Sequence, residues 1–337
     1  MENLLEVELW HWLAFGALVV FLLTLDLAVF HRRVHTPTLL ESTWWSVFWI
    51  GLALLFNAFV WWWGWLENGN SEAGLMFLQG YVVEKSLSVD NLFVFAVIFR
   101  FFQVPMKYQY RVLHWGILGA IVFRLVFILA GVALIRRFEW LLWVFGAFLI
   151  YTSFKLAMTS SENVNPEKNF LLRFARRFFR VTREDHGQRL FSRENGFLCM
   201  TPLFLVLLVV ESSDILFAVD SVPAIIGITK DAFIVFTSNI FAILGLRALY
   251  FLLAGVIDRF QYLHYGLSAV LFFIGAKMNA DYWIEHEGEH LISNWTSLLV
   301  IAALIAVSIL ASIVATRREQ SNKTVNGGDV RPGGGCT

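Results

Sequence analysis

Uncharged apolar runs, each long enough to cross roughly 30 Å of hydrocarbon at about 1.5 Å per residue, recur from residue 10 to residue 316 with short polar stretches between them. They predict nine helices, over about 10–30, 43–65, 74–100, 112–135, 138–158, 197–221, 232–255, 262–280 and 291–316. The expected fold class is therefore all-α, a polytopic transmembrane helix bundle in a single domain over residues 1–316. One connection is long: residues 159–196 carry eight basic side chains between Lys168 and Arg193 against five acidic ones. Within it, Phe170 to Phe179 with Arg173, Arg176, Arg177 and Arg180 reads as a short interfacial amphipathic helix. Residues 317–337, ending Gly333-Gly334-Gly335-Cys336-Thr337, read as a disordered cytoplasmic tail.

The informative positions are those that break the apolar pattern. In the run from Leu198 to Ile228 stand Glu211, Asp214 and Asp220, with Ser212, Ser213 and Ser221 among them. In the third predicted helix stand Glu84, Lys85, Ser86, Ser88, Asp90 and Asn91, and Glu84 and Asp90 have the spacing of Asp214 and Asp220. One such charge at bilayer depth costs about 2.5–3.5 kcal/mol even on insertion scales, so three in one helix demand a function. A six-residue spacing turns a side chain about 120° on an ideal helix, and the two acids of each pair then share no face. Unwinding is expected at Pro223 and at Ser88-Val89-Asp90-Asn91, which would let all four carboxylates converge.

The acidic segments also lead two similar units. The fourth predicted helix holds Arg124, Ala130-Gly131-Val132 and Arg137-Phe138; the seventh holds Arg247, Ala254-Gly255-Val256 and Arg259-Phe260; Lys155 matches Lys277 beyond them. The repeat is three helices, helices 3–5 over about 74–158 and helices 6–8 over about 197–280. Because three is odd, the second unit must run through the membrane inverted, which is a transporter architecture with its site near midplane. Arg124 and Arg247 lie too deep to snorkel and are expected to supply counter-charge to acids of helices three and six. Lys155 and Lys277 lie near helix ends, where snorkelling accounts for them. Asp26, near the inner end of helix one, reads equally as a ligand at the mouth or as a solvated helix end.

Composition and charge then narrow the chemistry. The 337 residues are 58% hydrophobic and balance 26 basic against 26 acidic side chains, so net charge offers nothing to a nucleic acid. Its distribution gives orientation: with the N-terminus outside, Arg32, Arg33, Arg100, Lys107, Arg111, the long connection, Arg259, Arg317, Arg318, Lys323 and Arg331 face the cytoplasm, while Arg136, Arg137 and Lys230 face out. Met1 to Trp10 has no basic residue, unlike the start of a cleavable signal peptide, so the first helix is expected to stay. Cys199 and Cys336 form no CxxC pair, which argues against a dithiol redox centre. Carboxylates, hydroxyls and amides without Cys, Met or His in either acidic segment favour a hard divalent cation: manganese, calcium or magnesium. His286-Glu287-Gly288-Glu289-His290 matches the zinc-protease pattern H-E-x-x-H, but its central glycine and its place in a short acidic outer loop remove the rigid helix that chemistry needs. No phosphate-binding G-x-x-x-x-G-K-[ST] segment occurs, so no enzyme activity and no direct drive by ATP are expected.

Glu84-Lys85-Ser86-Leu87-Ser88-Val89-Asp90-Asn91, the run Glu211 to Ser221 followed by Val222-Pro223-Ala224-Ile225, and Thr237-Ser238-Asn239 continuing to Arg247 together resemble the TerC family of membrane proteins, in particular its manganese-exporting branch. The likeness covers about residues 10–316. It implies export of Mn2+ from the bacterial cytoplasm across the inner membrane, with Glu84, Asp90, Glu211, Asp214 and Asp220 as metal ligands. Asn91, Ser88, Ser221, Arg124, Arg247, Lys85, Asp26 and Asn239 are the expected supporting polar and counter-charge residues. The expected partners are a divalent cation, protons and the lipid bilayer, and proton import is the expected driving force. Two alternatives stand beside this reading: a transporter of Ca2+ or another divalent cation, and a non-transporting membrane scaffold in metal or tellurite stress resistance.

Overall fold

The computed structural model describes residues 5, 7–30, 38–69, 72–158, 182, 189–194, 197–253, 263–284 and 292–326. The described chain forms helices α1 (Leu9–Phe30), α2 (Leu39–Asn68), α3 (Glu72–Phe101), α4 (Met106–Arg137) and α5 (Leu141–Met158), then strands β1 (Phe191–Glu194) and β2 (Phe197–Met200). Helices α6 (Pro202–Ile226), α7 (Ala232–Leu244), α8 (Leu246–Leu253), α9 (Leu263–Ile284) and α10 (Asn294–Asn326) follow. Six of these are long and apolar enough to cross a membrane, or seven if the bent α7–α8 pair is one span, rather than the nine expected. The two shortfalls, α3 and α9, are the helices carrying Glu84, Lys85 and Asp90 and Lys277 and Asp281.

Local sequence fixes several helix ends. Thr38 and Glu41 form a reciprocal capping box at the start of α2, and Gly69 closes that helix in the left-handed conformation. Asp231 caps α7 by accepting from the amides of Phe233 and Ile234. The sixth predicted helix starts later than expected. Phe197 to Met200 pairs antiparallel with Phe191–Glu194 in a small hairpin, and only after the cap Thr201 does Pro202 open α6. The last helix runs to Asn326, past the expected end at 316. The amphipathic segment expected at 170–179, the repeat positions Ala254 to Val256, Arg259 and Phe260, the His286 to His290 loop, and residues 327–337 lie outside the described residues.

The expected unwinding is not where the chain breaks. α3 is continuous through Ser88, Asp90 and Asn91, and α6 continues past Pro223 to Ile226. Pro223 lies in the last turn, so the ladder bond it forgoes to the Val219 carbonyl is followed by only three more helical residues. The break falls at Gly245 instead, where α7 meets α8 at 40°.

Helix α7 is apolar but for Thr237, Ser238 and Asn239, and every residue from Phe233 to Leu244 is buried, which makes it the axial helix of the bundle. It packs on α3 and α4; α6 packs on α4 and α3; α5 pairs with α9. Exchanging α3–α5 with α6–α9 would leave this set of neighbours unchanged. Glycines allow the close approaches: a Cβ at Gly80 of α3 would lie 2.7 Å from Ser238 Oγ of α7, and one at Gly275 of α9 would lie 2.8 Å from the Gly146 carbonyl of α5. On the outside, Leu13, Val20, Leu55, Trp62, Val122, Val126, Leu299 and Val307 are exposed, an apolar surface suited to hydrocarbon.

Candidate functional site

Three helices place four polar side chains around Arg124. This arginine stands near the middle of α4 and is wholly buried. Its Nη1 donates to Glu84 of α3, to Asn239 Oδ1 of α7 at 3.0 Å and to Ser221 Oγ of α6 at 3.3 Å. Nη2 reaches Asp214 Oδ1, also of α6, at 3.4 Å. Around Glu84 the bonding continues, since Asn239 Nδ2 donates to its Oε2 at 3.3 Å and Ser88 Oγ lies 3.5 Å from its Oε1. The planar guanidinium suits this role because its fork of donors engages several acceptors at once, which an ammonium does less well.

The cluster is dry. Glu84, Ser88, Arg124 and Asn239 have no exposed surface, and Asp214 and Ser221 are nearly as buried. Low dielectric strengthens each ion pair and makes each unpaired charge costly. Two carboxylate oxygens are nevertheless left without a hydrogen-bond partner, Asp214 Oδ2 and Glu211 Oε2. Glu211 lies one turn before Asp214 on α6, and its carboxylate fills a notch that a Cβ at Gly119 of α4 would occupy.

Of the four carboxylates expected to converge, Glu84 and Asp214 do so, on Arg124. Asp90 and Asp220 are half-buried, and among the described residues no hydrogen bond or ion pair joins them or Asn91 to the cluster. The reason is the regular helix: without unwinding, six residues of spacing carry both second acids to another face. Asp220 lies instead within electrostatic reach of Lys155 of α5. Among the described residues, no three His, Cys, Asp or Glu side chains form a group arranged to hold a metal ion. A guanidinium occupies the centre between Glu84 and Asp214.

Arg247 was expected to meet an acid of α3 or α6 and does not, because the break at Gly245 precedes it and α8 turns its side chain toward α1. There it pairs with Asp26, a buried partner rather than a solvated helix end, and its Nη1 lies 2.5 Å from the Tyr110 hydroxyl of α4 with the guanidinium 4.4 Å from that ring's centre. Lys85 does not pair with an acid of the cluster either. Its Nζ donates to the Ala242 carbonyl at 3.1 Å, one of the acceptors that the end of α7 frees. Tyr110, and the Tyr250 to Gln109 bond at 2.8 Å beside it, were missed in the sequence because Lys107 to Arg111 is a polar stretch that reads as the loop before the fourth predicted helix.

A helical, multi-pass membrane protein with a buried charge cluster at its axis is the class these features define. The family model of the integral membrane protein TerC family matches residues 69–320, and the chain belongs to that family. It is 50% identical over 306 residues to the uncharacterised membrane protein STKORF319 of Myxococcus xanthus, covering 91% of this chain and 92% of that one. It is 49% identical to Alx of Salmonella typhi (79% of this chain, 84% of that one) and 48% identical to Alx of Escherichia coli K12 (79% and 84%), proteins whose names propose a membrane-bound redox modulator. No solved structure matches the chain.

Proposed function

We propose that the chain is a secondary transporter that exports a hard divalent cation, Mn2+ foremost, from the bacterial cytoplasm across the inner membrane in exchange for protons. The observation that carries this reading is the imbalance of charge around Arg124: buried Glu84 and Asp214, with half-buried Glu211 one turn before Asp214, stand against one guanidinium, and Asp214 Oδ2 and Glu211 Oε2 are unpartnered. Carboxylate, hydroxyl and amide oxygens are the donors that Mn2+ and Ca2+ prefer. In this state Arg124 holds the charge that the cargo would bring, and cation entry requires the guanidinium to withdraw from Glu84 and Asp214. Asp90 and Asp220, half-buried on the same two helices, are the ligands along the path.

Moving two charges outward against an inside-negative potential of about 150 mV costs roughly 7 kcal/mol, at about 2.3 kcal/mol per charge per 100 mV. Protons supply it by competing for the same carboxylates, which hold metal only when ionised. The two three-helix units are read as an inverted repeat, with the N-terminus outside and the C-terminus inside, rocking about the site. A redox role would need a group that exchanges electrons, and the cluster is built of carboxylate, guanidinium, amide and hydroxyl.

The test is made in cells lacking their other manganese exporters. Asp214→Asn keeps shape and leaves Arg124 paired with Glu84, while Asp90→Asn and Asp220→Asn orphan no base of the cluster, so all three should reach the membrane at normal level. Each should leave the cells as manganese-sensitive as an empty vector. Normal resistance in all three would show that these carboxylates do not carry the cargo.

A further inference from the structure

A groove of about 750 Å3 opens between α1, α2 and the start of α7, within the roughly 300–1,000 Å3 usual for ligand sites. Its polarity is graded along the helices. Glu8 immediately precedes α1 and Glu67 is next to last in α2, so both carboxylates stand at one face of the bilayer. At their level His11 stacks on Trp63 with ring centres 4.6 Å apart, and Trp62 lies beside them. Phe15, Leu18 and Phe56, seven to eleven residues further in by sequence, make the rest of the wall apolar to a depth of roughly 10–16 Å at 1.5 Å per residue. Among the described residues, no lysine or arginine lines the groove.

We propose that this groove holds a phospholipid with an ammonium headgroup, of the phosphatidylethanolamine kind. The ammonium is attracted by two carboxylates and by the faces of Trp62 and Trp63. His11 Nδ1 accepts the Glu8 amide at 3.0 Å, so the neutral ring carries its proton on Nε2, a donor suited to the lipid phosphate. One acyl chain lies along Phe15, Leu18 and Phe56. A lipid of net negative charge meets the carboxylates of Glu8 and Glu67 in a groove whose described lining residues include no lysine or arginine. The aromatic belt explains tryptophan at a bilayer interface in general, but not the pair of acids facing a cavity that continues into hydrocarbon.

The experiment titrates the delipidated full-length chain with dioleoyl phosphatidylethanolamine and dioleoyl phosphatidylglycerol and counts bound lipid by native mass spectrometry. The wild type should bind the ethanolamine lipid at least about five-fold more tightly, roughly 1 kcal/mol. In the double variant Glu8→Gln with Glu67→Gln the preference should fall to near one, because the amide at 67 still accepts the Trp63 N–H and only the charge is gone. Leu18→Trp, which fills the apolar part, should weaken both lipids and keep their ratio. Glycerophosphoethanolamine, the headgroup without chains, should displace neither lipid. A ratio of one in the wild type, an unchanged ratio in the double variant, or displacement by the chainless headgroup would each overturn the proposal.

Discussion

Arg124 is the residue on which the interior depends. It is wholly buried and touches Glu84, Asp214, Ser221 and Asn239, so its removal leaves two carboxylates facing each other in a dry site. Arg124→Leu should destabilise the chain by about 3–5 kcal/mol, the usual cost of orphaning a buried charge, read as a lower unfolding temperature in detergent. Adding Glu84→Gln and Asp214→Asn to Arg124→Leu should restore most of the loss. If the triple variant melts no higher than the single one, charge balance is not what Arg124 provides. The acids and the arginine were legible in the sequence because charge inside an apolar run is conspicuous. Their pairing was legible for Arg124 alone. Arg247 met Asp26, 221 positions away, because a helix break that carries no proline turned it from the axis. A glycine between leucines is too common inside helices to mark such a bend.

At the scale of elements, regularity decided what could meet. Had α3 unwound at 88–91, Asp90 would have joined Glu84; as a continuous helix it cannot. The bend moved to α7–α8, where Lys85 answers the Ala242 carbonyl and takes the place a continuing helix would have filled. The spans themselves were read to within a few residues at most ends, since hydrocarbon thickness sets their length. The hairpin over 191–200 was hidden because Phe197-Leu198-Cys199-Met200 is as apolar as the helix that follows. The α5–α9 pair rests on glycine at both sides of the contact. Gly275→Val puts side-chain carbon where the Gly146 carbonyl lies, and backbone yields poorly. The expected loss is about 1–3 kcal/mol, and Ser268→Ala, whose hydroxyl only donates to the Ser153 carbonyl on the same interface, should cost less. Equal unfolding temperatures for Gly275→Val and the parent would remove close helix approach as the basis of this pairing.

For the whole molecule, a membrane bundle with lipid-facing apolar sides and an ion-paired axis was legible from composition and charge placement, whereas the state of the site was not. Sequence shows which charges are available, but which of them neutralise one another depends on helix rotation. Here one guanidinium satisfies part of a carboxylate cluster and leaves oxygens on Asp214 and Glu211 unpartnered. The central claim is that a divalent cation takes the place of Arg124 among these carboxylates and is exchanged for protons. The most direct measurement is Mn2+ flux into proteoliposomes holding the full chain, with and without an imposed pH gradient, beside Asp214→Asn vesicles of equal protein content. The wild type should move Mn2+ against its gradient when protons run the other way, with affinity falling as pH is lowered and carboxylates protonate, and the variant should match protein-free vesicles. Wild-type flux no greater than that of empty vesicles, or equal flux through Asp214→Asn, would contradict the claim.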